Sequence, residues 1–354
     1  MTVSSGKKLN CCILAAMFIA LSLCSCTKKN GAGVNSAGKE KIKIVTTVYP
    51  VYDWIKNITA DKAEVVCLIK GGTDLHSWQP GAKDILEVTG NGTALFIYCG
   101  GESDFWIEKV MTQIKAGGVE AYSLMEEHKE ILEAMGEHHH HHDHEGADED
   151  HDDYEHEHAG HDHEHADHEH EHEHAEHHHD GDFDPDEFDE HIWLSVKRAG
   201  VFVNSIAEKI AELDKANADF YMANAKAYCE KLGELDRSFE NAVSKMGEKV
   251  IIVADRNPFT YFAKDYGIEV VAAFHGCSAE SEASFEVIKH LAEETDEHDI
   301  KVIYITETGS EKIARTVISN TKAKSQKIRR LNAMQGKTEK TWLDVMAENL
   351  TVIE

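Results

Sequence analysis

Hydrophobic and polar positions alternate in short blocks along residues 41–124. Runs rich in β-branched residues predict strands, and the segments between them, whose apolar residues have helical spacing, predict helices. The predicted strands span residues 41–48, 63–69 and 94–98, and the predicted helices span residues 52–59, 82–89 and 105–114. Because strands alternate with helices, the pattern favours a parallel sheet that is covered on both faces.

The second half of the chain repeats this alternation after a long helical stretch. Residues 195–246 contain no proline, and within them residues 218–243 predict one long helix. The predicted strands that follow span residues 250–254, 269–274 and 301–305, and the predicted helices span residues 259–266, 283–294, 311–320 and 341–350. The chain is therefore predicted to be an α/β protein of two βα domains with central parallel sheets, joined by one long rigid α-helix.

The domain boundaries are placed where these patterns change. We expect an N-terminal α/β domain at residues 41–194, a helical segment with the long linker helix at 195–247, and a C-terminal α/β domain at 248–354. Inside the first domain, residues 137–189 consist mainly of His, Asp and Glu. Because this stretch has few apolar side chains to bury, their burial cannot offset the entropy lost on ordering. We therefore expect it to be a disordered insertion.

The insertion also carries most of the candidate metal-binding chemistry. It holds 19 of the 25 histidines, between His138 and His179, interleaved with carboxylates. Imidazole is largely neutral at pH 7 and can donate a lone pair to Zn²⁺, Ni²⁺ or Cu²⁺. Since a flexible ligand string must be ordered on binding, we expect several weak, exchangeable sites. A merely solvated acidic tract is the alternative interpretation.

The net charge of −29 is concentrated in the same stretch. Residues 137–190 contain 24 acidic side chains and no Lys or Arg, so the rest of the chain is nearly neutral. Nothing in this charge distribution suggests nucleic-acid binding, which would need a basic face.

The N-terminus is typical of an exported protein. Lys7 and Lys8 precede an apolar run at residues 13–23, which is too short to span a bilayer and favours a signal peptide at residues 1–25. The run ends in Leu-Cys-Ser-Cys, which resembles the bacterial lipobox, so Cys26 is the candidate for lipidation. Residues 26–40 would then be a flexible tether. An ordinary cleaved signal is the alternative, and both interpretations predict an extracytoplasmic protein.

The cysteines beyond the signal do not form a metal motif. Cys67, Cys99, Cys229 and Cys277 lack paired short spacing, which excludes a CxxC zinc knot and a small disulfide scaffold. Cys67 and Cys99 fall in apolar runs and are expected to act as small hydrophobic residues.

Two isolated histidines stand in motifs that favour a specific site. His76 lies in GTDLHSWQP, a loop bounded by Gly and Pro that follows a predicted strand, and His191 opens HIWL where order is expected to resume. Ligands of doubly wound sheets bind at the loops after the carboxyl ends of strands. A lone histidine is nevertheless more often structural than a ligand.

Read together, the motifs point to one family. The lipobox, GTDLHSWQP, GGESDFW at residues 100–106, the His/acid insertion, HIWL, the long helix and WLDVMAENL at residues 342–350 resemble the metal-specific solute-binding lipoproteins of ATP-binding-cassette importers, the zinc/manganese cluster. The resemblance extends over residues 41–350. It implies a monomeric binding protein that captures Zn²⁺, with Mn²⁺ as an alternative, and delivers it to a membrane permease.

The resemblance also implies four ligands, two from each domain. His76 matches the first position, although Leu75 stands where Pro is common, and His191 matches the second. Glu307, after a predicted strand, matches the fourth. The third position falls on Arg256, whose guanidinium has no lone pair to donate.

The third ligand must therefore come from elsewhere. Asp255 stands one residue earlier at the same strand end, and His275 follows the neighbouring strand, so both remain candidates, as does water. A third nitrogen would favour Zn²⁺, whereas an oxygen would admit Mn²⁺.

An enzyme and a surface adhesin are the two alternative classes of function. The chain has no HExxH helix, GxSxG elbow or Walker loop, so the sequence does not favour a metallohydrolase or another enzyme. A zinc-binding surface adhesin with a role in cell adhesion is the second alternative.

Overall fold

The computed structural model describes residues 41–71, 73, 75–133, 188–276, 282–336 and 338–354. The predicted signal peptide, tether and Cys26, nearly all of the His-rich insertion, and Cys277 lie outside the described residues. Within these ranges the chain forms two four-stranded sheets in which every pair of neighbouring strands is parallel. We call each sheet with its flanking helices a lobe.

The N-terminal lobe contains the first sheet, with strand order β2-β1-β3-β4. Its strands are β1 (Ile42–Thr46), β2 (Ala63–Cys67), β3 (Thr93–Tyr98) and β4 (Glu120–Ser123), and its helices are α1 (Tyr49–Thr59), α2 (Ala82–Thr89), α3 (Trp106–Ala116) and α4 (Leu124–Glu127). The first three strands confirm the sequence prediction. Strand β4 was not predicted, because its four residues, Glu-Ala-Tyr-Ser, contain no run of β-branched side chains. Cys99 is buried beside this sheet and Cys67 is partly buried.

Two helices connect the sheets, α5 (Val196–Leu213) and the 26-residue α6 (Ala218–Val243). The C-terminal lobe then has strand order β6-β5-β7-β8. Its elements are β5 (Val250–Asn257), α7 (Thr260–Tyr266), β6 (Glu269–His275), α8 (Phe285–Glu297), β7 (Val302–Thr306), α9 (Glu311–Asn320), β8 (Lys327–Leu331) and α10 (Trp342–Ile353). The fold class and the long helix are confirmed. Strand β8 was missed because it reads Lys-Ile-Arg-Arg-Leu, where three cations hide the apolar positions.

Three buried tryptophans connect the last helix of the C-terminal lobe to the first helix of the N-terminal lobe. The ring of Trp342, at the start of α10, packs edge-on against Trp54 of α1 at 5.7 Å between centroids. The Trp342 indole N–H donates to the carbonyl of Trp193 (3.1 Å), and the Trp193 indole N–H donates to the carbonyl of Ala333 (2.8 Å). The backbone N–H of Trp342 donates to Asp53 of α1 (3.0 Å). The last helix thus contacts the first helix of the N-terminal lobe.

None of the helices in the described part of the chain is both long and apolar enough to cross a bilayer.

Replacing Trp342 with Ala should strongly destabilise the protein, because this side chain is fully buried and its indole N–H has a buried partner. We expect the free energy of unfolding to fall by about 3–5 kcal/mol, measured by denaturant unfolding. The matched control is Phe285→Ala, since the Phe285 side chain is 73% exposed and its loss should change stability by about 0.5 kcal/mol or less. Equal effects of the two changes would contradict this role of Trp342.

Candidate metal centre

Loops that follow the carboxyl ends of strands in both sheets meet between the lobes. His76 lies in a short 3-10 turn, Leu75–Ser77, after β2. From the C-terminal lobe, Gln335 follows β8, and its side-chain nitrogen Nε2 lies 3.4 Å from Nε2 of His76. Gly276 follows β6, and a Cβ atom at that position would lie 3.1 Å from Cε1 of His191. The carboxyl ends of parallel strands are where open α/β sheets bind ligands.

Within the described residues, one group of His, Cys, Asp or Glu side chains has the proximity needed for a metal ion. It consists of His76, Glu190 and His191, each with a ligand atom within 4.8 Å of the others. The two imidazole rings lie 5.2 Å apart between centroids. The fold therefore brings together two histidines that are 115 positions apart in the sequence.

His76 is oriented by Glu190 through its Nδ1 atom. That nitrogen lies 3.1 Å from Oε1 of Glu190 and 3.3 Å from the hydroxyl of Ser103. The Glu190 carboxylate is itself fixed, since it accepts from the hydroxyl (2.5 Å) and the backbone N–H (2.9 Å) of Ser103. With a proton on Nδ1 directed at Glu190, the lone pair of His76 is on Nε2, which faces Gln335.

His191 is held in the same way by Asp189. The side-chain oxygen Oδ1 of Asp189 lies 2.8 Å from Nδ1 of His191 and also accepts from the backbone N–H of His191 at 2.8 Å. His191 is fully buried, and within the described part of the chain its Nε2 atom has no hydrogen-bond partner. A buried polar atom without a partner is costly unless a ligand satisfies it, so this nitrogen is poised to donate to a cation.

The carboxylates that hold the rings remain ionised at neutral pH. Burial raises the pKa of Asp189 and of Glu190, but the adjacent imidazoles together with hydrogen bonds from Thr260 and Ser103 outweigh it, and the net pKa of both groups is lowered. Burial lowers the pKa of His191, yet the charges of Asp189 and Glu190 outweigh it and the net pKa is raised. Two buried, negatively charged carboxylates therefore orient the two imidazoles. Their charge favours a cation between the rings.

Glu307 is close to this group but is not part of it. Its carboxylate accepts from the backbone N–H groups of Ala333 (2.8 Å) and Gln335 (3.3 Å), and burial raises its pKa. Glu307 thereby fixes the loop after β8 that brings Gln335 to His76.

The two candidates for the third ligand are placed differently. Asp255, in β5, accepts at Oδ2 from the backbone N–H (3.0 Å) and hydroxyl (2.6 Å) of Thr306, and at Oδ1 from the N–H of Arg256 (2.9 Å). His275 is exposed, ends β6 opposite Asn257, and precedes Gly276, where an added Cβ would lie against the His191 ring. Neither belongs to the three-residue group in the described part of the chain.

Sequence reasoning missed the residues that hold the rings. The predicted insertion ends at residue 189 and the acidic stretch at residue 190, yet Asp189 and Glu190 are only 3% and 2% exposed. Their position directly before His191 was the available signal. Ser103 could have been suspected from the GGESDFW motif, whereas no feature of the sequence points to Gln335.

The fold and the site define a two-lobed metal-binding protein with its candidate ligands between the lobes. The chain belongs to the ZnuA family, described as zinc-uptake complex component A, periplasmic, whose profile matches residues 44–354. Membership confirms the resemblance inferred from the motifs, and a family of zinc-uptake components confirms the interpretation as a binding protein and not an enzyme.

Individual relatives agree with this family. The chain is 30% identical to the high-affinity zinc uptake system protein ZnuA of Bacillus subtilis, over 97% of this chain and 95% of that protein. It is similar to the solved structure of Zn(II)-bound AdcA from Streptococcus pneumoniae, with a TM-score of 0.63 and 26% identity, over 88% of this chain and 56% of that one. The chain thus spans about half the length of AdcA.

A laminin-binding adhesin of Streptococcus agalactiae has a TM-score of 0.66 but only 21% identity, over 88% of this chain and 97% of that one. This last likeness is one of fold alone.

Replacing Gly101 with Ala should disturb the site, because Gly101 has φ +83 and a Cβ there would lie 2.7 Å from Cβ of Glu190. Gly92→Ala is the matched control, since Gly92 has φ +77 and open space around it. A side chain at positive φ costs about 1–3 kcal/mol at either position, and Gly101 also has ψ −174, which is essentially restricted to glycine. Because of this backbone and the clash with Glu190, Gly101→Ala should lose more thermal stability than Gly92→Ala. Equal losses would mean that Glu190 moves aside freely.

Proposed function

We propose that this protein captures Zn²⁺ outside the cytoplasm, between its two lobes, and delivers it to the membrane permease of an ATP-binding-cassette importer. The observation that carries the proposal is the pair of imidazoles, each held at Nδ1 by a carboxylate. Metal-bound histidines characteristically donate their other ring N–H to such a partner, which fixes the tautomer and directs the second nitrogen at the metal.

His76 and His191 are the proposed nitrogen ligands, both through Nε2. The lone pair of His76 faces the Gln335 amide at 3.4 Å, and Nε2 of His191 is buried with no hydrogen-bond partner among the described residues. Tetrahedral ligands at about 2.0–2.1 Å from zinc lie about 3.4 Å apart, and His76 and His191 each offer a ligand atom within 4.8 Å of the other. On binding, the metal replaces the amide at His76 and satisfies the unpartnered nitrogen of His191.

The C-terminal lobe is proposed to supply the remaining ligands. Glu307 is favoured because the loop that it fixes already contacts His76 through Gln335. His275 is the second candidate, since its neighbour Gly276 lies so near the His191 ring that an added Cβ would be 3.1 Å from it. Asp255 ranks below both, because its two oxygens already accept hydrogen bonds at the end of β7 and from its own strand.

Zinc is favoured over the alternatives by the donor set. Two imidazoles and a carboxylate suit Zn²⁺, and a site richer in oxygen would be needed to favour Mn²⁺. The zinc-binding relatives support the same choice. We find no feature of the described residues that favours an adhesin.

The His-rich insertion is proposed to collect metal near this site. The chain leaves the described part after Glu133 and returns at Phe188, and the N–H of Asp189 donates to the carbonyl of Glu133 at 3.0 Å. The two ends of the insertion therefore meet two residues before His191. Weakly held cations on its histidines would be released next to the tight site.

The remaining proposals concern the location and state of the protein. Cys26 would carry the lipid that anchors the chain to the bacterial cell membrane, with residues 26–40 as the tether. The protein would act as a monomer, since one chain contributes both lobes of the site.

His76→Ala and His191→Ala should each abolish tight zinc binding, because each change removes one of two nitrogen donors. We expect the zinc affinity, measured by competition with a chelator, to fall by more than about 100-fold. Loss of a group that only orients a ligand costs at most about that much, and loss of a ligand should cost more. The control is His290→Ala, since His290 is exposed on α8. Unchanged affinity in either variant would refute this site, and tighter binding of Mn²⁺ than of Zn²⁺ by the wild type would refute the choice of metal.

Replacing residues 134–187 with a short Gly/Ser linker should remove only weak metal sites. The deletion stops before Phe188 so that Asp189 and Glu190 remain to hold the two imidazoles. Calorimetry should show one tight zinc of unchanged affinity and fewer weak ones. A full-length variant with Ser in place of the 19 insertion histidines is the control for chain length, and loss of the tight zinc in both variants would contradict the proposal.

A further inference from the structure

Asp189 is a junction between the metal centre and helix α7 of the C-terminal lobe. Its Oδ1 atom holds His191, and its Oδ2 atom accepts from the hydroxyl of Thr260 at 2.7 Å. Its backbone carbonyl accepts from the hydroxyl of Tyr261 at 2.6 Å. Asp189 is 3% exposed, so these bonds have little competition from solvent. The carboxylate that orients His191 is therefore itself oriented by Thr260, the first residue of α7, while Tyr261 holds the backbone of Asp189.

Helix α7 is a firm support for these bonds. The ring of Tyr261 is fully buried, and the guanidinium of Arg198 in α5 lies over it at 5.1 Å. Arg198 also pairs at 2.5 Å with Asp265, one turn further along α7. Since α7 is fastened to α5 on both sides of this turn, Thr260 presents its hydroxyl at a defined position.

The hydroxyl of Thr260 determines how the Asp189 carboxylate is turned. The terminal torsion of an Asp side chain has a broad energy profile, so the carboxylate plane is fixed mainly by its hydrogen bonds. One oxygen is bound by His191 and the other by Thr260. Without the Thr260 bond, the carboxylate can rotate, and the tautomer and direction of the His191 ring are less strictly held.

We propose that Thr260 is a positioning residue for metal capture: through Asp189 it fixes the protonated Nδ1 of His191 and thus aims Nε2 between the lobes. The inference rests on the proposed function, because it assigns Thr260 a role at that same site. The proposed role of Thr260 also links the lobes, because the orientation of His191, a proposed ligand next to the N-terminal lobe, depends on a hydroxyl of the C-terminal lobe.

Thr260→Val keeps the shape of the side chain and removes the hydroxyl, whereas Thr260→Ser keeps the hydroxyl. We expect the zinc affinity of the Val variant to fall about 10-fold, within the range of about 10–100-fold for loss of an orienting partner, and the Ser variant to retain wild-type affinity. Thr316→Val is the matched control, because the exposed Thr316 donates only to its own helix backbone. Competition with a chelator measures all four proteins.

A second readout separates positioning from general stability. In the zinc-free protein, the ¹⁵N resonances of the His191 ring should report one tautomer, protonated at Nδ1, in the wild type and the Ser variant, and a mixture in the Val variant. Should the Val variant lose thermal stability, the same comparison is made between Thr260→Ser and Thr260→Ala. Wild-type affinity and a single tautomer in the variant without the hydroxyl would overturn the inference.

Failure of the inference is distinct from failure of the proposed function. If the wild type lacks a tight zinc site, or keeps it in the His191→Ala variant, the proposed site itself is wrong and Thr260 has nothing to position. If the wild type binds zinc tightly through His191 and the loss of the Thr260 hydroxyl has no effect, only the inference fails.

Discussion

The interaction on which the site depends is the bond between a buried carboxylate and the Nδ1 atom of an imidazole, made twice. Asp189 holds His191 and Glu190 holds His76, and the rings together with further hydrogen bonds lower the net pKa of both carboxylates despite their burial. Each bond leaves the opposite ring nitrogen with its lone pair directed away from the carboxylate. Two such nitrogens side by side form a place for a cation before any cation arrives.

The fold supplies this arrangement through the parallel direction of its strands. The loops that carry His76 and Gln335 each follow the carboxyl end of a strand, and these loops from the two sheets meet between the lobes. The buried tryptophans connect α10 to α1, so the C-terminal lobe is attached to the N-terminal lobe at the end of the chain as well as through α5 and α6. A site shared by two lobes needs such a fixed relation, because an error of about 1 Å in ligand position weakens it.

The two sides of the segment that lies outside the described residues, 134–187, are joined by a backbone hydrogen bond. The N–H of Asp189 donates to the carbonyl of Glu133. The orientation of His191 is decided by its neighbours in the described part of the chain, above all by Asp189.

The sequence by itself determined the fold class, the long helix and two of the three residues in the metal group, His76 and His191. These were accessible because strand and helix periodicity is local, and because both histidines stand in distinctive motifs. It did not reveal β4 and β8, whose short or charged sequences become strands only by pairing with a neighbour already in place. Tertiary structure alone decided that Asp189 and Glu190 belong to the site and that Gln335 faces His76. It also placed the Glu307 carboxylate against the backbone of the loop that carries Gln335. Those roles depend on which side chains become neighbours after the lobes pack, and no local pattern encodes a contact between residues 259 positions apart.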